Sequence, residues 1–219
     1  MTGVQTCALP IYYDQFVDIL KDLIIKREAN PSAKDPAQYV WSCYIACEHD
    51  LSRFNKSNTF FILEQLLWLT ERYGVYEPAK LFERLKAIVI SDEQRWRYYA
   101  LWIQRGEATV SEMESVLQEI DRIPSSLFMV KWRLMHSLMV RYVAMGSYEK
   151  ALTLYHTHIE PLFSEVTPNM QFMVSTIVQN AYYRMGNDEK TSEYLERMRE
   201  LSEQYPDQIH EGYLFSLQN

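Results

Sequence analysis

Apolar residues recur along this chain at intervals of three and four. Phe16, Ile19, Leu20 and Leu23 start the pattern; Phe60, Leu63 and Leu67 continue it; Val116, Leu117 and Ile120 carry it on. That spacing lays one apolar stripe along a helix. No convincing run alternates apolar and polar residues with the period of two that a half-buried strand needs. The breaks are local and chemical. Asn30-Pro31 and Asp35-Pro36 interrupt the first helical stretch, because a residue before proline is pushed out of the helical region. Ile123-Pro124-Ser125-Ser126 predicts a second break, with a serine capping the next helix. Thr167-Pro168 predicts a helix start, proline fitting the first turn. The chain reads as helices throughout.

Four of the six glycines fall between these stretches: Gly74, Gly106, Gly146 and Gly186, at spacings of 32, 40 and 40 residues. Their surroundings agree as well. Gly146-Ser-Tyr-Glu-Lys-Ala matches Gly74-Val-Tyr-Glu-Pro-Ala, and Gly186-Asn-Asp-Glu-Lys-Thr keeps the outline. Leu138, Tyr142, Gly146, Tyr148, Ala151 and Tyr155 have the spacing of a tetratricopeptide repeat, as do Val178, Tyr182, Gly186, Thr191 and Leu195. Gly74, Tyr76, Ala79 and Phe82 supply half of an earlier unit, and Trp102 and Gly106 begin a degenerate one. A small residue early in each second helix (Ala79, Ala151, Thr191) lets the paired helices approach. The expected fold is all-α, a right-handed superhelix of tetratricopeptide-like helical hairpins. An irregular helical bundle with glycines at chance spacing is the alternative.

Residues 1–11, MTGVQTCALPI, resemble the translation of a common sequencing-library adapter and are expected to lie outside the native protein. A natural disordered N-terminus is the other reading. On the adapter reading the repeat domain occupies 12–219 and an N-terminal module is missing. Gly212 to Asn219 reads as the opening of another first helix, so truncation is expected at both ends; a short terminal helix docking back is the alternative.

Hydrophobic residues make up 47% and aromatics 14% of the 219, enough for a sizeable core. The net charge of −7 argues against a DNA-binding surface on this stretch. No apolar run approaches the roughly 20 residues of a membrane span. Outside the adapter string only Cys43 and Cys47 remain, which fits a reducing cytoplasm rather than a disulfide scaffold. With His49 and Asp50 they form the one metal-capable cluster, and its spacing does not converge four ligands. His156 and His158 diverge on a helix. No nucleophile elbow, phosphate loop or dinucleotide fingerprint occurs. Glu193, Glu196, Glu200 and Glu203 alternate with Arg197 and Arg199, as on a solvated helix face. No catalytic residue, cofactor or metal is expected; the chain is read as a binder, not an enzyme.

Function then falls to the first helices of the hairpins, which line the concave groove of such arrays. Counting back from the glycines puts Thr176, Asn180 and Tyr183 on the groove, then Arg133, His136 and Val140, then Glu93, Trp96 and Ala100, and finally Trp68 and Glu71. The Asn180 amide would hold a peptide backbone by donating and accepting, or simply face solvent. Arg133 would meet a peptide carboxylate, or be an ordinary surface arginine. Arg95-Trp96-Arg97-Tyr98-Tyr99 mixes cations with rings that could stack on a ligand, although Trp96, Tyr99 and Ile103 also follow core spacing.

Phe60 to Glu64, Arg105 to Glu112, and Glu165 to Met170 with the following helix resemble, in order and spacing, the arbitrium-type receptors of Bacillus phages. These belong to a wider class of cytoplasmic tetratricopeptide receptors for short secreted peptides, with the Rap, NprR, PlcR and Rgg-type regulators. The resemblance implies a short signalling peptide in the groove, control of the lysis–lysogeny choice, a homodimer, and DNA contact only through an N-terminal helix-turn-helix domain that this sequence lacks. Val174 and Ile177 stand where the family carries polar groove residues, so peptide identity does not carry over. A general protein-binding scaffold, with a folded partner or partner helix as ligand, is the other reading; an enzyme whose site lies on a lost segment is a third.

Overall fold

The computed structural model describes residues 55–73 and 78–209, together with Asp18, Lys21 and Asp22; the side chains of 68–73 and of Pro78 fall outside that description. So do several of the features above: Gly74, Tyr76, Trp68 and Glu71, the first helical stretch and its proline loop, the Cys43–Asp50 cluster, residues 1–11 and residues 212–219. Among the described residues there are eight α-helices and no strand. The chain divides into two compact units.

In the first unit, α1 (Lys56–Tyr73) packs on α2 (Pro78–Ala87). The Asn55 side chain accepts from the Asn58 backbone N–H at 2.9 Å, filling one of the donors that a helix start leaves open. Phe60, Ile62, Leu63 and Leu67 of α1, and Leu81 and Leu85 of α2, are buried. Ala79 is exposed, which corrects its expected role at the helix–helix contact: its side of α2 faces solvent.

The second unit holds α3 (Asp92–Gln104), α4 (Val110–Glu119), α5 (Phe128–Ala144), α6 (Tyr148–Leu154), α7 (Pro168–Arg184) and α8 (Asp188–Gln204). Gly106, Gly146 and Gly186 have φ of 79, 74 and 71°, a region side chains resist, and each ends a first helix. The three turns share one hydrogen-bond pattern. Glu107 N–H donates to Trp102 O, Ser147 N–H to Tyr142 O and Asn187 N–H to Tyr182 O, at 3.2, 2.8 and 3.0 Å. Each glycine N–H donates to the carbonyl three residues back. This double closure satisfies carbonyls that a helix end otherwise leaves without a donor. Two second helices restart on side-chain caps: Thr109 exchanges bonds with Glu112 in a capping box, and the Asn187 side chain accepts from Lys190 N–H at 3.0 Å, whereas α6 starts at Ser147 without one. Thr167 caps α7 as its sequence predicts, with Pro168 in the first turn.

The forty-residue period is filled by irregular turns. A π turn (Tyr155–Ile159) and a 3-10 helix (Glu160–Glu165) follow α6, and 3-10 turns at Ile120–Arg122 and Ser125–Leu127 follow α4. Ser125 and Ser126 lie in the second of these rather than capping α5. Pro124 O already accepts from Leu127 N–H at 2.9 Å, and that tight turn runs into the helix without a side-chain cap.

Hairpin packing follows side-chain size. Ala151 is 0% and Thr191 8% exposed, so the small residues in α6 and α8 do lie inside the contact. Tyr142, Tyr155 and Tyr194 fill the space around them. The first helices contact one another in chain order, α3 with α5 and α5 with α7. On the second-helix side, Lys150 of α6 pairs with Glu114 of α4, and Arg197 of α8 donates to the Tyr155 hydroxyl at 3.3 Å.

Candidate functional site

The first-helix row does not present its expected residues uniformly. On α7, Asn180 is exposed, Tyr183 is 61% exposed and Thr176 is half-buried. The Thr176 hydroxyl lies 3.0 Å from Phe172 O within its own helix and 3.9 Å from Met198 Sδ on α8, so it is turned toward its hairpin partner. On α5, Arg133, His136 and Val140 are half-buried. Desolvation lowers the His136 pKa from 6.5 to about 4, so at neutral pH the ring is an uncharged donor and acceptor.

Trp96 is a correction. It is 4% exposed, Ala100 is 2% and Ile103 is 0%; all three sit in the main apolar core of the second unit. The register that leaves Asn180 and Tyr183 exposed on α7 buries Trp96 on α3, because α3 lies close along α5. Ser137 Oγ of α5 reaches Gln104 Oε1 at 3.4 Å, and Arg141 of α5 sits on Gly106. That contact turns the Trp96–Ala100 face inward. The rings left half-exposed on α3 are Tyr98, Tyr99 and Trp102, with Tyr98 stacked on Trp102 at 6.3 Å between centroids. The Arg95 guanidinium lies 4.9 Å from the Trp96 ring, a cation–π contact within one helix. Glu93 is exposed and pairs with Arg97 at 3.2 Å.

A polar network joins the hairpins behind this row. His156 Nδ1 lies 2.8 Å from Glu160 Oε2, and its Nε2 lies 3.2 Å from the Tyr182 hydroxyl on α7. Tyr155 donates to Glu160 Oε1 at 3.2 Å. Burial is the main cause of a strongly raised Tyr155 pKa, so this phenol stays protonated and remains a donor. His158 turns the other way, with Nδ1 3.6 Å from Asp121, which also pairs with Lys131 of α5. The two histidines do diverge, but on a π turn, and each reaches a different neighbouring hairpin.

Among the described residues no three His, Cys, Asp or Glu side chains are placed to hold a metal, and no helix is long and apolar enough to cross a membrane. Between them α5 and α7 carry an exposed amide, a half-buried imidazole, one exposed tyrosine ring and arginine cations. Arg184 is exposed at the end of α7, on the same helix as Asn180 and Tyr183. Counting back from the glycine in steps of three and four passed over it. Its signal was compositional, because neither α5 nor α7 contains an acid. Comparison with protein-family models, with curated proteins and with solved structures yields no match.

Proposed function

We propose that this chain is the ligand-sensing part of a peptide-responsive transcription regulator, of the kind the arbitrium-type receptors represent. In this reading the hairpins form a right-handed tetratricopeptide-like superhelix, and a short peptide lies along α5 and α7 on its concave side. Exposed Asn180 and Tyr183 on one first helix carry the reading. The amide holds a peptide backbone without reading side chains. An exposed tyrosine is a side chain over-represented at binding hot spots. Peptide binding would shift the angle between hairpins and so alter how two protomers present DNA-binding domains carried outside these residues. Calorimetry against short peptides from the host culture tests it. Binding that Asn180→Ala and Tyr183→Ala weaken supports the reading; a folded chain that takes up none of the peptides counts against it.

One observation favours a scaffold for a larger partner instead. Met145 and Met185 are 39% and 43% exposed and hold the same place, just before the turn glycine, in consecutive hairpins. Pull-down of a folded partner, insensitive to Asn180→Ala and Tyr183→Ala, would favour that role.

A further inference from the structure

The π turn at Tyr155–Ile159 reaches both neighbouring hairpins. It follows α6 in the second hairpin, and Glu160 N–H closes it by donating to Tyr155 O, five residues back. His156 Nε2 lies 3.2 Å from the Tyr182 hydroxyl on α7 of the third hairpin. His158 Nδ1 lies 3.6 Å from Asp121, in the 3-10 turn that follows α4 of the first. Asp121 in turn pairs with Lys131 of α5 at 3.1 Å. At the base of the turn, the Tyr155 hydroxyl and the Glu160 carboxylate meet Arg197 of α8 at 3.3 and 3.8 Å.

The repeat does not require a π turn at this place. Tyr155 stands as far beyond Gly146 as Leu195 stands beyond Gly186, and α8 runs through Leu195 to Gln204 as unbroken α-helix. Equivalent positions in the array are thus built in two ways. At about 3.6 residues per turn, one residue more or fewer rotates the helix beyond it by about 100°. Moving the extra residue out of Tyr155–Ile159 therefore carries the two histidine contacts out of register. An element with two discrete arrangements, biased by contacts at two separate places, is what coupling between those places needs.

We infer that this π turn is the joint of the second unit: the contact of His158 with the first hairpin and the contact of His156 with the third are made and lost together, through the turn. A change at either neighbour is then felt at the other. The joint does not depend on what binds α7, and it stands or falls apart from the peptide-binding reading.

Urea unfolding of the full chain with Asp121→Ala and Tyr182→Phe, singly and together, tests it. The Asp121 side chain is 72% exposed and Tyr182→Phe keeps its ring, so the variants should fold. The polar side-chain contacts of Asp121 and of Tyr182 have no residue in common. Independent sites multiply their effects on the unfolding constant to within about twofold. Through a joint, the second loss costs less once the first has occurred. The double variant should therefore unfold at least about threefold less readily than the product of the single effects requires. A smaller deviation, or one of opposite sign, would overturn the joint. Hydrogen exchange locates it: in Asp121→Ala the amides of 156–160 should exchange about tenfold faster while those of α5 keep their rates. Unchanged exchange in the turn would overturn the π turn as the joint even where the cycle is coupled.

Discussion

Arg141 Nη2 donates to the backbone carbonyl of Gly106 at 3.3 Å, so a side chain of the second hairpin closes the turn of the first. A cation at a helix C-terminus also opposes the negative end of the helix dipole. A Cβ added at Gly106 would fall 2.8 Å from Arg141 Nη1, whereas at Gly146 and Gly186 it would meet nothing within 4 Å. All three substitutions force a side chain into positive φ, at about 1–2 kcal/mol. Gly146→Ala and Gly186→Ala should lose that much and no more. Gly106→Ala should lose about 1 kcal/mol further as the guanidinium gives up the carbonyl. Thermal unfolding of the three variants, repeated in an Arg141→Met background, checks it. The extra cost at position 106 should vanish there; an unchanged difference would show that Arg141 is not its cause.

Trp96 and Asn180 were expected on one face and lie in opposite environments, so their alanine variants should separate cleanly. Trp96→Ala removes a buried indole from the core and should cost about 3–5 kcal/mol. Asn180→Ala, exposed on α7, should stay within about 0.5 kcal/mol of the parent. Denaturant midpoints decide this without any ligand. A large loss at Asn180 would mean that its amide is structural, and would remove the residue on which the peptide reading rests most.

The turns were legible because their constraint is written in single residues. A glycine admits positive φ whatever its tertiary surroundings, and Thr167-Pro168 starts a helix by local bonding alone. Trp96 was legible as core from its helical spacing with Ile103, but the glycine register put it on the groove, because counting back from a glycine assumes that every hairpin is rotated alike. The approach of α3 to α5, through Ser137, Gln104 and Arg141, breaks that assumption. The π turn at Tyr155–Ile159 left no pattern either. Its extra residue per turn is held by contacts that only the fold assembles, from His156 to Tyr182 and from His158 to Asp121. For the candidate site, Asn180 and Tyr183 came from register, while Arg184 emerges only when the two first helices are seen as one acid-free face.

Tyr182 should contribute through its hydroxyl more than through its ring. The ring stacks on Tyr194 at 5.8 Å, and phenylalanine would keep that contact. The hydroxyl faces His156 Nε2 and either donates or accepts, whichever the imidazole requires. Tyr182→Phe should therefore cost about 0.5–1.5 kcal/mol. Together with His156→Ala it should show a coupling of at least about 0.5 kcal/mol in a double-mutant cycle. Strict additivity would mean that the network does not join the second hairpin to the third.

His136 sets a pH dependence with a definite sign. Burial lowers its pKa to about 4 in the fold, from an ordinary 6.5. Between those values the unfolded chain binds a proton that the folded chain refuses, so stability rises with pH across the window. The contribution is fully present above 6.5 and is lost as pH falls through 4. The whole shift would correspond to about 3 kcal/mol; for a half-buried ring, solvent screening reduces that to roughly 1–2 kcal/mol. Replacing the imidazole by leucine removes the titration and leaves the carboxylates unchanged. Urea unfolding of the parent and of His136→Leu at pH 7 and pH 4.5 should show the parent losing more on acidification. The reverse order would mean that the protonated ring gains a carboxylate partner in the fold, and that His136 adds a cation to the face at low pH.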